Sequence, residues 1–162
     1  MSSAPITRDW SWNVQAVLRT VGKELGMFRF ISDTDTGFEE SVDLKNGLRI
    51  RPDVLWKDSD GRIKVIFEID TYSSTSYPKT IYGSMLGGII MAKEMEAEFV
   101  EVVREGMRIS RKAELIAELF NKHFKERINI IEAPDTTDVG KMSDHIVEEL
   151  QRLEIIRLPS KT

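Results

Sequence analysis

The sequence has 162 residues, 41% of them hydrophobic and 31% charged, with a formal net charge of -4. That balance excludes a disordered chain and a strongly basic coat, and the length suffices to bury a core. No cysteine is present and the two histidines, His123 and His145, stand far apart, so disulfides and thiolate sites are excluded and neither a histidine zinc site nor a Ser-His-Asp triad finds support.

No apolar run approaches the ~18–20 residues needed to span a bilayer. The start, Met1-Ser2-Ser3-Ala4-Pro5, lacks the basic and apolar regions of a signal peptide. The expectation is an intracellular, cytoplasmic protein with no membrane partner.

From Asp9 to Leu25 the apolar residues Trp10, Val14, Val17, Leu18, Val21 and Leu25 recur at helical spacing, with Asp9 as cap and Gly26 as the residue past the end. Trp10 and Trp12 read as core and edge packing. Met27 to Ile31 reads as a short strand, and Ser32 to Gly37 as a solvated loop. Asp33 and Asp35 begin like a calcium loop, but the Gly and Glu that such a loop needs later are missing.

Phe38 to Leu44 alternates loosely, and Asn46-Gly47 signals a hairpin into a strand from Leu48 to Trp56. A turn at Asp58 to Gly61 leads to Ile63–Ile69, whose Val, Ile and Phe content marks a strand buried on both faces. Three strands thus follow the first helix in hairpin succession.

Thr71 to Ser76 is a hydroxyl-rich loop, and Pro78 opens a helix to about Ala97. Gly83 and Gly87 give that helix a smooth face, read as close packing on the sheet, with self-association as the alternative. Phe99 to Arg104 is a strand. Ser110 caps a helix to Phe124 with Leu115, Ile116, Leu119 and Phe120 inward. Arg127 to Glu132 is a strand, and a last helix begins at Ser143. The order α-β-β-β-α-β-α-β-α implies an α/β fold with a mixed central sheet flanked by helices on both faces.

The turn at Asp58 to Gly61 lies near the midpoint between Asp53 and Glu68, so a hairpin brings both to the same end of adjacent strands. Glu68 and Asp70 share a face because side chains alternate with a period of two. Asp58 and Asp60 read as solvated turn residues, but Asp53 and Glu68 border or interrupt long apolar runs, where carboxylates are seldom left unpaired. An oxygen-only cluster suits a hard cation, Mg²⁺ or Mn²⁺. Arg49, Arg51, Lys57, Arg62 and Lys64 are read as flanking the cluster and able to meet phosphates.

Pro52-Asp53 followed by Glu68-Ile69-Asp70 at the end of a hydrophobic strand, with a helix before and another after, resembles the PD-(D/E)xK nuclease superfamily, the restriction-endonuclease-like and Holliday-junction-resolvase-like enzymes. The resemblance covers roughly two thirds of the chain, from Asp9 to about Arg104. It implies a restriction-endonuclease-like core and Mg²⁺- or Mn²⁺-dependent cleavage of DNA phosphodiesters. Asp53 and Glu68 would be metal ligands, with the backbone carbonyl of Ile69 as a third. Asp70 stands where the family has Lys, and would hold a water or a second ion. Lys79, at the start of the next helix, is the alternative source of the amine. An acidic residue of the first helix is not evident, since Gln15 stands about where it would be.

The expectation is therefore a single nuclease-like domain over residues 1–162, with a core at about 9–104 and a C-terminal extension at about 105–158. Its catalytic set would be Asp53, Glu68, Asp70 and Lys79, its metal ligands Asp53, Glu68, Ile69 and Asp70, and its partner DNA, with a homodimer left open. The alternative is a catalytically inactive relic of the same fold that binds DNA or protein.

Overall fold

The computed structural model of the protein describes residues 5–26, 41–70, 78–106 and 108–157. Along them run α1 (Pro5–Glu24), β1 (Val42–Asp43), β2 (Arg49–Ile50), β3 (Val54–Lys57), β4 (Ile63–Asp70), α2 (Pro78–Met95), β5 (Glu98–Arg104), α3 (Arg108–Phe124), β6 (Ile128–Ala133) and α4 (Val139–Arg152). A four-stranded sheet takes the order β3-β4-β5-β6, and β1-β2 forms a separate two-stranded ribbon. β3 pairs antiparallel to β4, whereas β4-β5 and β5-β6 are parallel. The expected mixed sheet flanked by helices is what the chain builds.

The hairpin signals act as their chemistry dictates. Gly47 takes a positive φ of 87° in the turn between β1 and β2, and Gly61 one of 81° in the turn between β3 and β4, conformations that glycine adopts without a Cβ penalty. Asp58 fastens the second turn, its Oδ1 accepting from the N–H groups of Asp60 and Arg62.

The expected strand from Leu48 to Trp56 is two strands in two sheets. Pro52, which is buried, stands between them. It has no N–H to give to a ladder, so pairing stops on one side of it and resumes on the other. Four strands therefore follow α1 before α2 among the described residues, not three. The expected strand at Met27–Ile31, the loop with Asp33 and Asp35, and the hydroxyl-rich loop at Thr71–Ser76 lie outside the described residues.

Strand alternation sorts the sheet into two faces, each with its own core. Val54, Trp56, Phe67, Ile69, Val100 and Val102 pack with α1 and α4. Leu55, Ile66, Phe99 and Val103 pack with α2 and α3. Both crossover helices, α2 and α3, lie on one face, as two crossovers of one hand require when the strand order advances in one direction. Trp56 locks the first face. Its Nε1 donates to the Leu18 carbonyl at 2.9 Å, its ring meets Phe67 edge-on at 4.8 Å, and a Cβ at Gly22 would overlap it. Trp10 is buried and Trp12 lies at the edge, as their spacing implied.

The helices differ from expectation at their ends and on one face. α1 begins at Pro5, whose fixed φ suits a first helical position, so Asp9 lies within the helix and does not cap it. α3 begins at Arg108, which puts Ser110 inside its first turn. α4 starts at Val139 because Asp138 caps it, accepting from the Lys141 N–H at 3.1 Å. In α3 the buried stripe is Ala113, Ile116 and Ala117, while Leu115 and Leu119 are 43% and 52% exposed. The alanines let the helix sit close to the sheet, which turns the flanking leucines outward.

The close-packing glycine of α2 is Gly88. A Cβ there would overlap the Phe99 ring, whereas Gly83 and Gly87 face open space. Gly88→Ala is therefore expected to lower stability by about 1–3 kcal/mol through overpacking. Gly83→Ala, in contrast, should raise it by about 0.5–1 kcal/mol through helix propensity. Urea unfolding of the two variants measures both; equal effects of the same sign would contradict the packing described.

Candidate functional site

Asp53, Glu68 and Asp70 meet at one end of the β3-β4 hairpin. Val54 pairs with Phe67, so the next step outward faces Asp53 toward Glu68. Beyond that pair the backbone ladder gives way to a side chain, Asp53 Oδ2 accepting from the Ile69 N–H at 2.7 Å. Glu68 and Asp70 alternate with Ile66, and Asp53 with Leu55, both residues of the α2-α3 core. All three carboxylates thus stand on the α2 side of the sheet.

A fourth carboxylate joins them. Glu101 lies directly across from Glu68 in the parallel register of β4 and β5, and it alternates with Phe99 and Val103 on the same face. Its side chain is 0% exposed, and Asp70 is 6% exposed. Ser84, projecting from α2, donates its hydroxyl to Glu101 Oε2 at 3.2 Å. The sequence reading passed over Glu101, though it breaks an apolar run, Phe99-Val100-Glu101-Val102-Val103, much as Glu68 breaks its own.

The electrostatics of the cluster follow from burial. The Glu101 carboxyl is held well above its ordinary value, first by desolvation, then by its hydrogen bond and charge interaction with Asp70, then by the charge of Glu68, against a smaller pull from Ser84. Asp53 is also raised, by desolvation first and by the charge of Asp70, while hydrogen bonds from Glu68 and from the Ile69 N–H work the other way. The four carboxyls thus act on one another, Asp53 with Glu68 and Asp70, and Glu101 with Asp70 and Glu68. With all carboxyls ionised, Asp70 Oδ2 and Glu101 Oε1 are buried with no donor to accept from. A proton on Glu101 shared with Asp70 supplies one; a cation would supply more. Among the described residues no three Asp, Glu or His side chains gather as one metal-ligand set. The donor set still fits Mg²⁺, which takes one or two protein carboxylates and keeps several waters.

Lys79 lies in the first turn of α2 by its backbone; its side chain lies outside the described residues. The basic residues divide. Arg51 is exposed two residues before Asp53, and Arg49 is engaged by Asp43 at 2.7 Å on the β1-β2 ribbon. Lys57, Arg62 and Lys64 do not flank the cluster. They sit at the turn end of the hairpin, where Lys57 pairs with Ile63, roughly 13–20 Å of strand from Glu68 for Lys64 and Arg62 at about 3.3 Å per residue. The midpoint turn that joins the carboxylates is what separates these residues from them.

A cavity of about 340 Å³ lined by Trp10, Arg104, Asp135, Thr136 and Thr137 opens on the opposite face. There the buried Arg104 is held by Asp135, with its Nε donating at 2.9 Å, and its guanidinium lies 5.5 Å from the Trp10 ring. Its one buried cation is already paired, and it shares no residue with the carboxylates.

Both resolved shifts in the cluster run upward, so the folded chain keeps protons that the unfolded chain releases. The stability they contribute is complete below the ordinary carboxylate range and is lost as pH rises through the raised folded values. In EDTA, wild-type stability is expected to fall as pH rises from the ordinary carboxylate range into the alkaline range. Glu101→Gln should flatten that fall and gain on the order of 1–3 kcal/mol at pH 8, the usual penalty of a buried unpaired polar group. Urea unfolding across that range measures it, and parallel wild-type and variant profiles would refute it. No family model, no curated protein and no solved structure matches this chain, so its own residues carry the functional reading.

Proposed function

We propose that the chain is a divalent-cation-dependent nuclease-like domain that hydrolyses DNA phosphodiester bonds, with a restriction-endonuclease-like core. The observation that carries this reading is the convergence of Asp53, Glu68 and Asp70 on one face at one end of the β3-β4 hairpin. The buried oxygen of Asp70 without a hydrogen-bond donor supports it, because buried acceptors are seldom left unsatisfied. The element order helix, strand hairpin, helix, parallel strand supports it as well.

In this reading Asp53 and Glu68 hold Mg²⁺ or Mn²⁺, and the Ile69 carbonyl lies beside them. When bound, such a cation supplies a water of lowered pKa and charge to set against the developing phosphorane. Asp53 is oriented for the task by the Ile69 N–H. Asp70 accepts a hydrogen bond from the attacking water and so directs it. Lys79, on the first turn of α2, is the group that would meet the scissile phosphate, and Arg51 offers a charge to a neighbouring one.

One observation favours a second reading. The hydrogen bond from Ile69 gives Asp53 a structural task, that of completing the β3-β4 ladder. Together with Asp70 in place of Lys, this fits a relic that binds DNA or protein without cutting.

Incubation with Mg²⁺ or Mn²⁺ and single-stranded, duplex and branched DNA separates the two. Cleavage is expected, with Asp53→Ala slower by about a hundredfold or more, the loss of several kcal/mol of charge stabilisation. Lys79→Ala should lose cleavage yet keep Mn²⁺ binding. Wild-type protein that retards DNA in a gel but cuts none of these forms would leave only the relic.

A further inference from the structure

We propose that the outer face of α2, flanked by the outward leucines of α3, is an apolar surface on which a second copy of this chain docks. This goes beyond the nuclease reading and stands whether or not the chain cuts DNA. Nine large hydrophobic side chains are exposed among the described residues, and six of them lie on these two helices. On α2, Tyr82, Leu86 and Ile90 are 42–43% exposed and recur every four residues, which sets them in one ridge. On α3, Leu115 and Leu119 repeat that step, and Phe124 ends the helix. The helices pack side by side, and an aromatic chain joins them. The Tyr82 ring lies 6.3 Å from that of Phe120, which meets Phe124 edge-on at 5.4 Å. The exposed residues thus adjoin, unlike the single apolar residues that any surface carries.

Charge, shape and area favour a second copy as the occupant. From Thr80 to Ala92 the helix carries no charged residue on any side, the composition of a helix that is covered all round. A lipid headgroup or a nucleic acid would be met by basic residues on this face; an uncharged centre is what the interface between two copies of one chain has. Gly83 and Gly87 follow Tyr82 and Leu86 along the chain and face open space, so the ridge runs beside a shallow groove of the same pitch. A helix that carries both ridge and groove at one pitch can pack on itself across a two-fold axis. At about 150–250 Å² for each large side chain, the six half-exposed residues offer on the order of 500 Å². That is most of the ~800 Å² that each partner buries in a stable interface.

Light scattering and sedimentation of the full chain, without metal or DNA, test the proposal. Wild-type protein is expected to be a dimer whose Tm rises with protein concentration. Leu86→Glu sets a charge at the centre of the face and should weaken association by about a hundredfold or more. Leu119→Glu, on the flank, should weaken it by about tenfold. Val139→Glu, an exposed position on α4, should leave the dimer unchanged. If Leu86→Glu does not fold by far-UV circular dichroism, Ile90→Glu takes its place with the same expectation. A wild type that is monomeric at every concentration, with a constant Tm, overturns the proposal, whether the face then binds anionic lipid vesicles, a different protein or nothing. A dimer that survives both Leu86→Glu and Leu119→Glu overturns it as well, since the copies then meet elsewhere. DNA cleavage, present or absent, bears on the proposed function alone.

Discussion

Glu68 and Glu101 face each other across two central parallel strands, and much of the local structure answers that single constraint. Strands β4 and β5 are covered on both faces, and Glu101 is fully buried while Glu68 is only partly so. The chain responds with a Ser84 hydroxyl from α2 and a backbone N–H aimed at Asp53. Neither removes the deficit at Asp70 Oδ2 and Glu101 Oε1. A core built for stability alone would set Val or Ile at these positions, as the neighbouring residues of both strands do. Buried carboxyls with raised pKa, gathered at one end of a sheet, are the feature on which the proposed site rests.

The parts of this site that could be read from the sequence are those made by local chain geometry. Asp53, Glu68 and Asp70 are joined by a hairpin whose turn, Asp58 to Gly61, announces itself, and period-two alternation then places Glu68 and Asp70 on one face. Glu101 escaped because its neighbour is set by parallel pairing through a helical crossover, and no local signal fixes that register. The same geometry corrected the basic residues. A turn that brings Asp53 to Glu68 carries Lys57, Arg62 and Lys64 to the far end.

Elsewhere the layout was legible and the details were not. Both flanking layers, the mixed sheet and the buried centre of the Ile63–Ile69 run, Val65 to Phe67, followed from composition and order, while Lys64 is exposed and Ile63 and Glu68 are partly so. Pro52 carried a clear warning against one strand from Leu48 to Trp56, since proline cannot donate to a ladder. Among the glycines of α2 the sequence offers no choice between Gly83, Gly87 and Gly88. Only the position of the Phe99 ring decides which one must lack a Cβ. In α3, likewise, Ala113 and Ala117 outrank Leu115 and Leu119 at the sheet because closeness of approach, not side-chain size, sets the buried stripe.

The strand order also has a consequence in time. β3 and β4 are joined by a tight turn and pair antiparallel, a closure with little loop entropy to overcome. β5 reaches β4 only after the whole of α2 has crossed the sheet, and such non-local pairing is the slower event. Trp10 donates to the Pro134 carbonyl across 124 positions of sequence, which ties the first helix to the loop before the last one and closes later still. A hairpin holding Asp53 opposite Glu68 is thus the early half of the cluster. The desolvation that makes its carboxyls unusual arrives with β5 and the helix above it, so the chain meets the electrostatic penalty of its own site near the end of folding.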